Sequence, residues 1–134
     1  MNLSNIKSVG IIGAGLMGHG IAIQFASNGY TVILNDVSEE RLSSSMKDIE
    51  NTCNQANLDT NKILSLIETQ NSLDKTASNS DFVIEAVFED LDVKRDIFEK
   101  LDSICSKDVV LASNTSSFKA SQLAANCNFP ERVI

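Results

Sequence analysis

The sequence predicts an α/β fold, with a doubly wound, mainly parallel sheet carrying helices on both faces. Three observations predict it. Short β-rich apolar runs alternate with stretches of helical periodicity along the whole chain. The first run passes directly into a glycine turn and then a helix. Gly and Pro are few, and no repeat or linker interrupts the pattern, so residues 1–134 are read as one domain.

Taken in order, Ile6 to Ile12 is the first strand and Leu16 to Asn28 the first helix. Ile21, Ala22, Phe25 and Ala26 form that helix's apolar stripe, and Asn28-Gly29 is a stop of the left-handed type. Thr31 to Asn35 is the second strand. Ser38 caps a helix whose stripe is Leu42, Met46, Ile49 and Cys53, running to about Ala56 as a helical arm. After a polar break, Ile63, Leu64 and Ile67 suggest a short helix or a turn into a weak strand at Ile67 to Thr69. A polar connection with a helical stretch near Leu73 to Ala77 leads to Phe82 to Val87. That run is nearly continuous in apolar residues, as a strand buried on both faces is. Glu85 interrupts it, and a carboxylate there requires a partner or a role. Leu91 to Cys105 is a helix, Val109 to Ala112 a strand, Lys119 to Ala125 a helix with Ser117 as candidate cap, and Arg132 to Ile134 the opening of a further strand.

The glycine turn carries chemistry. Gly13, Gly15 and Gly18 fit the spacing G-x-G-x-x-G between a strand and a helix. Gly13 permits the tight turn, Gly15 lets a pyrophosphate approach the backbone, and Gly18 lets helix and strand pack closely. The helix N-terminus offers free N–H groups and partial positive charge to the phosphates. Gly13, Gly15, Leu16, Met17 and Gly18 are therefore candidate cofactor contacts in a Rossmann-type fold. Asp36 ends the second strand about 20 residues further on, where a carboxylate accepts the adenosine ribose hydroxyls. It also repels a 2′-phosphate, so the expected cofactor is NAD rather than NADP.

Bulk properties exclude other classes. Net charge is −7 with no basic run, which argues against nucleic acid and anionic membrane surfaces. No apolar run approaches the roughly 18 residues of a membrane span, and Lys7 has no long apolar stretch behind it, so no secretory leader is expected. Cys53, Cys105 and Cys127 match neither a disulfide frame nor a metal motif. They read as free thiols in a reducing cytoplasm, and no metal site is expected. The sole histidine, His19, reads as a helix-surface residue.

A second candidate site follows the strand at Val109 to Ala112. Ser113-Asn114-Thr115-Ser116-Ser117 places five small hydrogen-bonding side chains at the mouth of the cleft, where one would suffice for a helix cap. Here the chain resembles a known family. Gly13-Ala14-Gly15-Leu16-Met17-Gly18 with Gly20-Ile21-Ala22, Asp81-Phe82-Val83-Ile84-Glu85-Ala86-Val87-Phe88-Glu89-Asp90 with Val93-Lys94, and Leu111-Ala112-Ser113-Asn114-Thr115-Ser116-Ser117 resemble the L-3-hydroxyacyl-CoA dehydrogenases, the bacterial 3-hydroxybutyryl-CoA type above all.

The resemblance covers essentially the whole chain and implies hydride exchange between NAD and the 3-hydroxyl of an acyl-CoA. It implies that Glu89 and Lys94 contact NAD, and that Ser116 contacts both NAD and the reacting oxygen as the catalytic serine. A hydroxyl there also suits a developing oxyanion. It further implies a general acid/base histidine and a helical domain for substrate and homodimer contacts, all beyond Ile134. The 134 residues are therefore expected to bind NAD with little or no turnover, and to expose an apolar face that promotes self-association. The family's CoA contacts fall near Thr52 and Asp59, but the lysine expected near Asp59 is not there, although Lys62 is close. Two other readings fit some of these residues. One is a standalone NAD-binding or regulatory module. The other is a β-hydroxy acid dehydrogenase independent of CoA, against which the Ser113 to Ser117 run weighs.

Overall fold

Five strands form one parallel sheet in the order β3-β2-β1-β4-β5. They are β1 (Ser8–Ile12), β2 (Thr31–Asn35), β3 (Ile67–Gln70), β4 (Phe82–Glu85) and β5 (Val110–Ser113). The structure is a computed structural model and describes residues 2–134. The order reverses at β1, the switch point where folds of this type bind dinucleotides.

Helices α1 (Leu16–Ser27), α2 (Glu39–Gln55) and α3 (Thr60–Ser65) pack with β1 and β2 around Val9, Ile11, Ala22, Leu34, Leu42 and Ile49. Helices α4 (Leu73–Ser78), α5 (Leu91–Ile104) and α6 (Ala120–Leu123) enclose a second core around Ile12, Val83, Phe98, Leu101 and Leu111. Val9 and Ile11 serve one core and Ile12 the other, as the period-two alternation of a strand requires. A sheet covered on both faces explains why its strands read as continuous apolar runs. Four helices begin as the sequence dictates. The side chains of Ser38, Asp59, Ser72 and Asp90 accept hydrogen bonds from N–H groups in the first turns of α2, α3, α4 and α5.

The register places one row of residues at the carboxyl edge. Asn35 pairs with Ile12, Ile12 with Glu85, and Glu85 with Ser113. Everything immediately beyond that row belongs to the candidate site. Most large apolar side chains left exposed also gather there, namely Leu16, Met17, Val37 and Phe88.

Several boundaries differ from expectation, each for a local reason. β1 starts at Ser8, because Leu3–Asn5 closes a 3₁₀ turn ahead of it. β4 stops at Glu85, because the Glu85 carboxylate accepts the Val87 N–H at 2.6 Å and turns the chain. Ser117 does not cap α6. Its N–H donates to Thr115 Oγ1 at 3.2 Å, and α6 starts later behind Lys119, whose N–H donates to Gln122 Oε1 at 2.9 Å. Arg132 belongs to a 3₁₀ turn, Pro130–Arg132, and only Val133 bridges β5, in parallel, at Leu111. The buried Arg132 guanidinium pairs with Asp102 at 2.9 Å and donates to the Ser106 carbonyl, tying the end of α5 to the last turn. All three cysteines are free thiols, and burial pushes each thiol pKa up.

Asp81 locks the amino edge of the sheet. Its Oδ2 accepts the N–H groups of Lys7 and Ser8, both at 2.9 Å, so β4 holds the start of β1. Those donors hold its carboxyl below the usual range. The stabilisation is present above the ordinary aspartate value of about 4 and is lost as pH falls through the lower folded value. Asp81→Asn is therefore expected to lower the urea midpoint at pH 7, with the gap to the unmodified chain closing below about pH 4. A gap that stays constant down to pH 2 would refute this linkage.

Candidate functional site

The site begins where β1 ends. Gly13 has φ +111°, in the region that favours glycine, and a Cβ on it would sit 2.7 Å from the Ala86 carbonyl oxygen. The Gly13 N–H donates to Asn35 O at 2.8 Å, fixing the turn to the tip of β2. Gly18 lies against the same turn, where an added Cβ would stand 2.0 Å from Gly13 O. Gly15 is the opposite case. It is the N-cap of α1 without a side-chain cap bond, and a Cβ on it would meet nothing within 4 Å. The backbone there faces open space, bordered by the exposed Leu16 and Met17.

Asp36 follows β2 directly and is 7% exposed. Its Oδ2 accepts the Ala14 N–H at 3.2 Å and its Oδ1 the Ser38 N–H at 3.0 Å. The carboxylate is thereby fastened to the glycine turn itself, and Arg41 reaches Oδ2 at 3.4 Å from outside.

At the tips of β4 and β5 a buried polar network joins two loops. Glu85 is fully buried. Its Oε2 accepts from Lys94 Nζ and from the Val87 N–H, both at 2.6 Å, and its Oε1 accepts the Ser113 hydroxyl at 2.7 Å. Lys94 also donates to Val87 O at 3.0 Å and pairs with Glu89 at 3.2 Å. Glu89 in turn accepts the Thr115 hydroxyl at 2.7 Å. That hydroxyl, helped by Ser117 and by the Lys94 charge, holds the Glu89 carboxyl below its usual range.

A cradle of bare backbone, a fixed carboxylate at the next strand tip and a braced pair of loops together fit a dinucleotide across the switch point. The family model for the 3-hydroxyacyl-CoA dehydrogenase NAD-binding domain matches residues 8–134. The chain belongs to this family.

Two curated dehydrogenases illustrate the likeness. The 3-hydroxybutyryl-CoA dehydrogenase of Bradyrhizobium diazoefficiens is 43% identical over 96% of this chain and 46% of that protein. The human mitochondrial hydroxyacyl-coenzyme A dehydrogenase is 37% identical over 89% of this chain and 42% of that one. Among solved structures, the 3-hydroxybutyryl-CoA dehydrogenase of Escherichia coli K12 superposes with a TM-score of 0.91 at 34% identity, over 96% of this chain and 29% of that one. The chain thus spans less than half the length of the curated relatives named here.

Within this NAD-binding domain, the glycine turn and Asp36 stand together at one edge, and the loops bearing Glu89 and Ser116 stand together on β4 and β5. Lys94, suggested by the sequence as a placed cation for the cofactor, is 1% exposed, with its ammonium engaged by Glu85, Glu89 and Val87 O. Its charge holds the loops in place. The hydroxyl run is also partly spent internally. Ser113 serves Glu85 and Thr115 serves Glu89, helped by Ser117, which leaves Asn114 and Ser116 exposed toward solvent.

His19 is half-buried rather than a plain surface residue. Its Nε2 lies 2.9 Å from both Ala14 O and Ser45 Oγ, so it bridges α1 to α2 behind the glycine turn. Beside it runs a groove of about 570 Å³ between α1 and α2, lined by Leu16, Ile23, Asp48, Asn51 and Thr52 among others. Thr52 is one of the positions that the resemblance links to CoA, whereas Asp59 caps α3 through the Lys62 N–H at 3.3 Å. Sequence reading missed Ser45, Ser113 and Thr115 as structural partners. For Ser113 and Thr115 the signal was present, because buried Glu85 and loop Glu89 each needed a donor from the adjacent strand end.

Proposed function

We propose that the complete protein is an NAD-dependent dehydrogenase interconverting L-3-hydroxyacyl-CoA, 3-hydroxybutyryl-CoA in particular, and the 3-ketoacyl-CoA. Residues 8–134 are its cofactor-holding part. One observation carries this reading. The Asp36 carboxylate accepts the Ala14 N–H, so the ribose grip and the phosphate cradle are a single rigid unit.

NAD, when bound, supplies the hydride acceptor. The chain's own residues bind and orient. Gly13, Gly15, Leu16, Met17 and Gly18 bring backbone and helix dipole to the pyrophosphate, and Asp36 accepts the ribose hydroxyls. Glu89 and Lys94 form the floor of the nicotinamide half, Glu89 at the surface and Lys94 beneath it. Ser116 donates its hydroxyl to the substrate oxygen, steadying charge that develops there. His19 does not serve as the acid/base, because its Nε2 is committed to Ala14 O and Ser45. That role belongs to a histidine elsewhere in the complete protein, as do the homodimer contacts. Its acyl-CoA enters beside Thr52. Three free thiols, two of them buried, support a reducing compartment such as the cytoplasm. No helix among the described residues is long and apolar enough to cross a membrane.

Calorimetric titration with NADH tests the reading. Asp36→Ala is expected to weaken NADH by about tenfold to a hundredfold, the loss of charged hydrogen bonds to two hydroxyls. No heat at millimolar NADH, or equal affinity in the variant, would overturn it.

A further inference from the structure

The carboxylate that favours NAD has a cationic neighbour. Arg41 Nη1 lies 3.4 Å from Asp36 Oδ2, with the arginine side chain 61% exposed and the aspartate side chain only 6%. The two differ in freedom. Asp36 is fixed by the Ala14 and Ser38 N–H groups. Arg41 is fixed only through its backbone, its N–H donating to Ser38 Oγ and its carbonyl accepting the Ser45 hydroxyl. Its guanidinium holds Asp36 by one long contact, and exposed ion pairs of this kind are weak and easily broken.

We propose that Arg41 is a specificity-determining residue that lowers this site's discrimination against a dinucleotide carrying a phosphate on the adenosine 2′-oxygen. The proposal rests on Asp36 being the ribose grip. A group bonded to Asp36 lies within reach of the guanidinium. A hydroxyl there needs only the carboxylate. A phosphate is repelled by the carboxylate and attracted by the planar fork of an arginine, which pairs with phosphate oxygens in bidentate fashion. The capped N-terminus of α2 adds positive potential from the same side. Glu39 and Glu40 in its first turn oppose this, although Glu39 is engaged by Asn71 at 2.6 Å. NAD therefore stays preferred, and Arg41 narrows the margin.

The experiment is calorimetric titration of NAD and NADP into the full chain and three variants, Arg41→Ala, Asp36→Ala and the double variant. Circular dichroism melts confirm that each is folded. Arg41→Ala is expected to weaken NADP about tenfold while NAD changes less than threefold. Asp36→Ala is expected to strengthen NADP, and the gain is expected to vanish in the double variant. The Asp36→Ala background decides the matter if NADP binds the unmodified chain too weakly to measure. Equal NADP affinity with and without Arg41 in that background, or equal weakening of both dinucleotides by Arg41→Ala, would overturn the proposal. Failure of the unmodified chain to bind NAD is a different result, and overturns the cofactor reading beneath it.

Discussion

Lys94→Met is expected to destabilise the fold by about 3–5 kcal/mol, the cost of leaving a buried charge without its partner. Glu85 is fully buried at the end of a central strand, and Lys94 is its only cationic partner among the described residues. After the substitution the Val87 N–H and the Ser113 hydroxyl remain as donors, and neither carries charge. A domain of this size has about 5–15 kcal/mol in total, so about a fifth or more of its stability is at stake. The double variant Glu85→Gln with Lys94→Met is expected to recover most of the loss. It removes both charges and keeps a carbonyl oxygen able to accept the Val87 N–H. Urea denaturation of the four members of the cycle measures both effects. A loss below about 1 kcal/mol, as for an exposed pair, would show that the pair does not organise these loops. Temperature separates stability from binding. Where Lys94→Met is still folded, its NADH affinity is also expected to fall, because the Glu89–Thr115 contact is no longer braced from below.

The same pair shows how far the sequence can be read. Glu85 stands out in an apolar run, so its need for a partner is legible. That the partner is Lys94 is not, because it stands nine positions on, across a loop, and only the fold brings them together. Lys94 is therefore easy to mistake for a surface cation. The strands and first helices are legible for the opposite reason. A sheet covered on both faces imposes continuous apolar runs, and Ser38 and Asn28-Gly29 punctuate them with residues whose chemistry has one common use. The proposed site at the glycine turn is legible because what it offers a ligand is backbone, and backbone access leaves glycine as its trace. The tips of β4 and β5 are harder. Ser113, Thr115 and Ser117 look alike in sequence, and only the register that sets Glu85 beside Ser113 separates the bracing hydroxyls from the exposed ones.

Three glycines of one turn and helix are expected to respond to alanine in three different directions. Gly18→Ala puts a Cβ 2.0 Å from the Gly13 carbonyl oxygen, a backbone atom that cannot rotate aside. Helix α1 must then withdraw from the end of β1, carrying Ala14 and its bond to Asp36 with it. A loss of about 1–3 kcal/mol is expected from overpacking, against the roughly 1 kcal/mol by which alanine ordinarily improves a helix. NADH affinity is expected to fall with it, by about tenfold or more. Gly15→Ala meets no protein atom within 4 Å, so its stability is expected to hold while NADH binding weakens, the new methyl filling space the pyrophosphate requires. Gly20→Ala also meets open space, but inside α1, and is expected to gain about 0.5–1 kcal/mol. Urea midpoints and NADH titrations on the three variants separate the roles. If Gly15→Ala bound NADH as well as the unmodified chain does, the open space before α1 would not be where the phosphates rest.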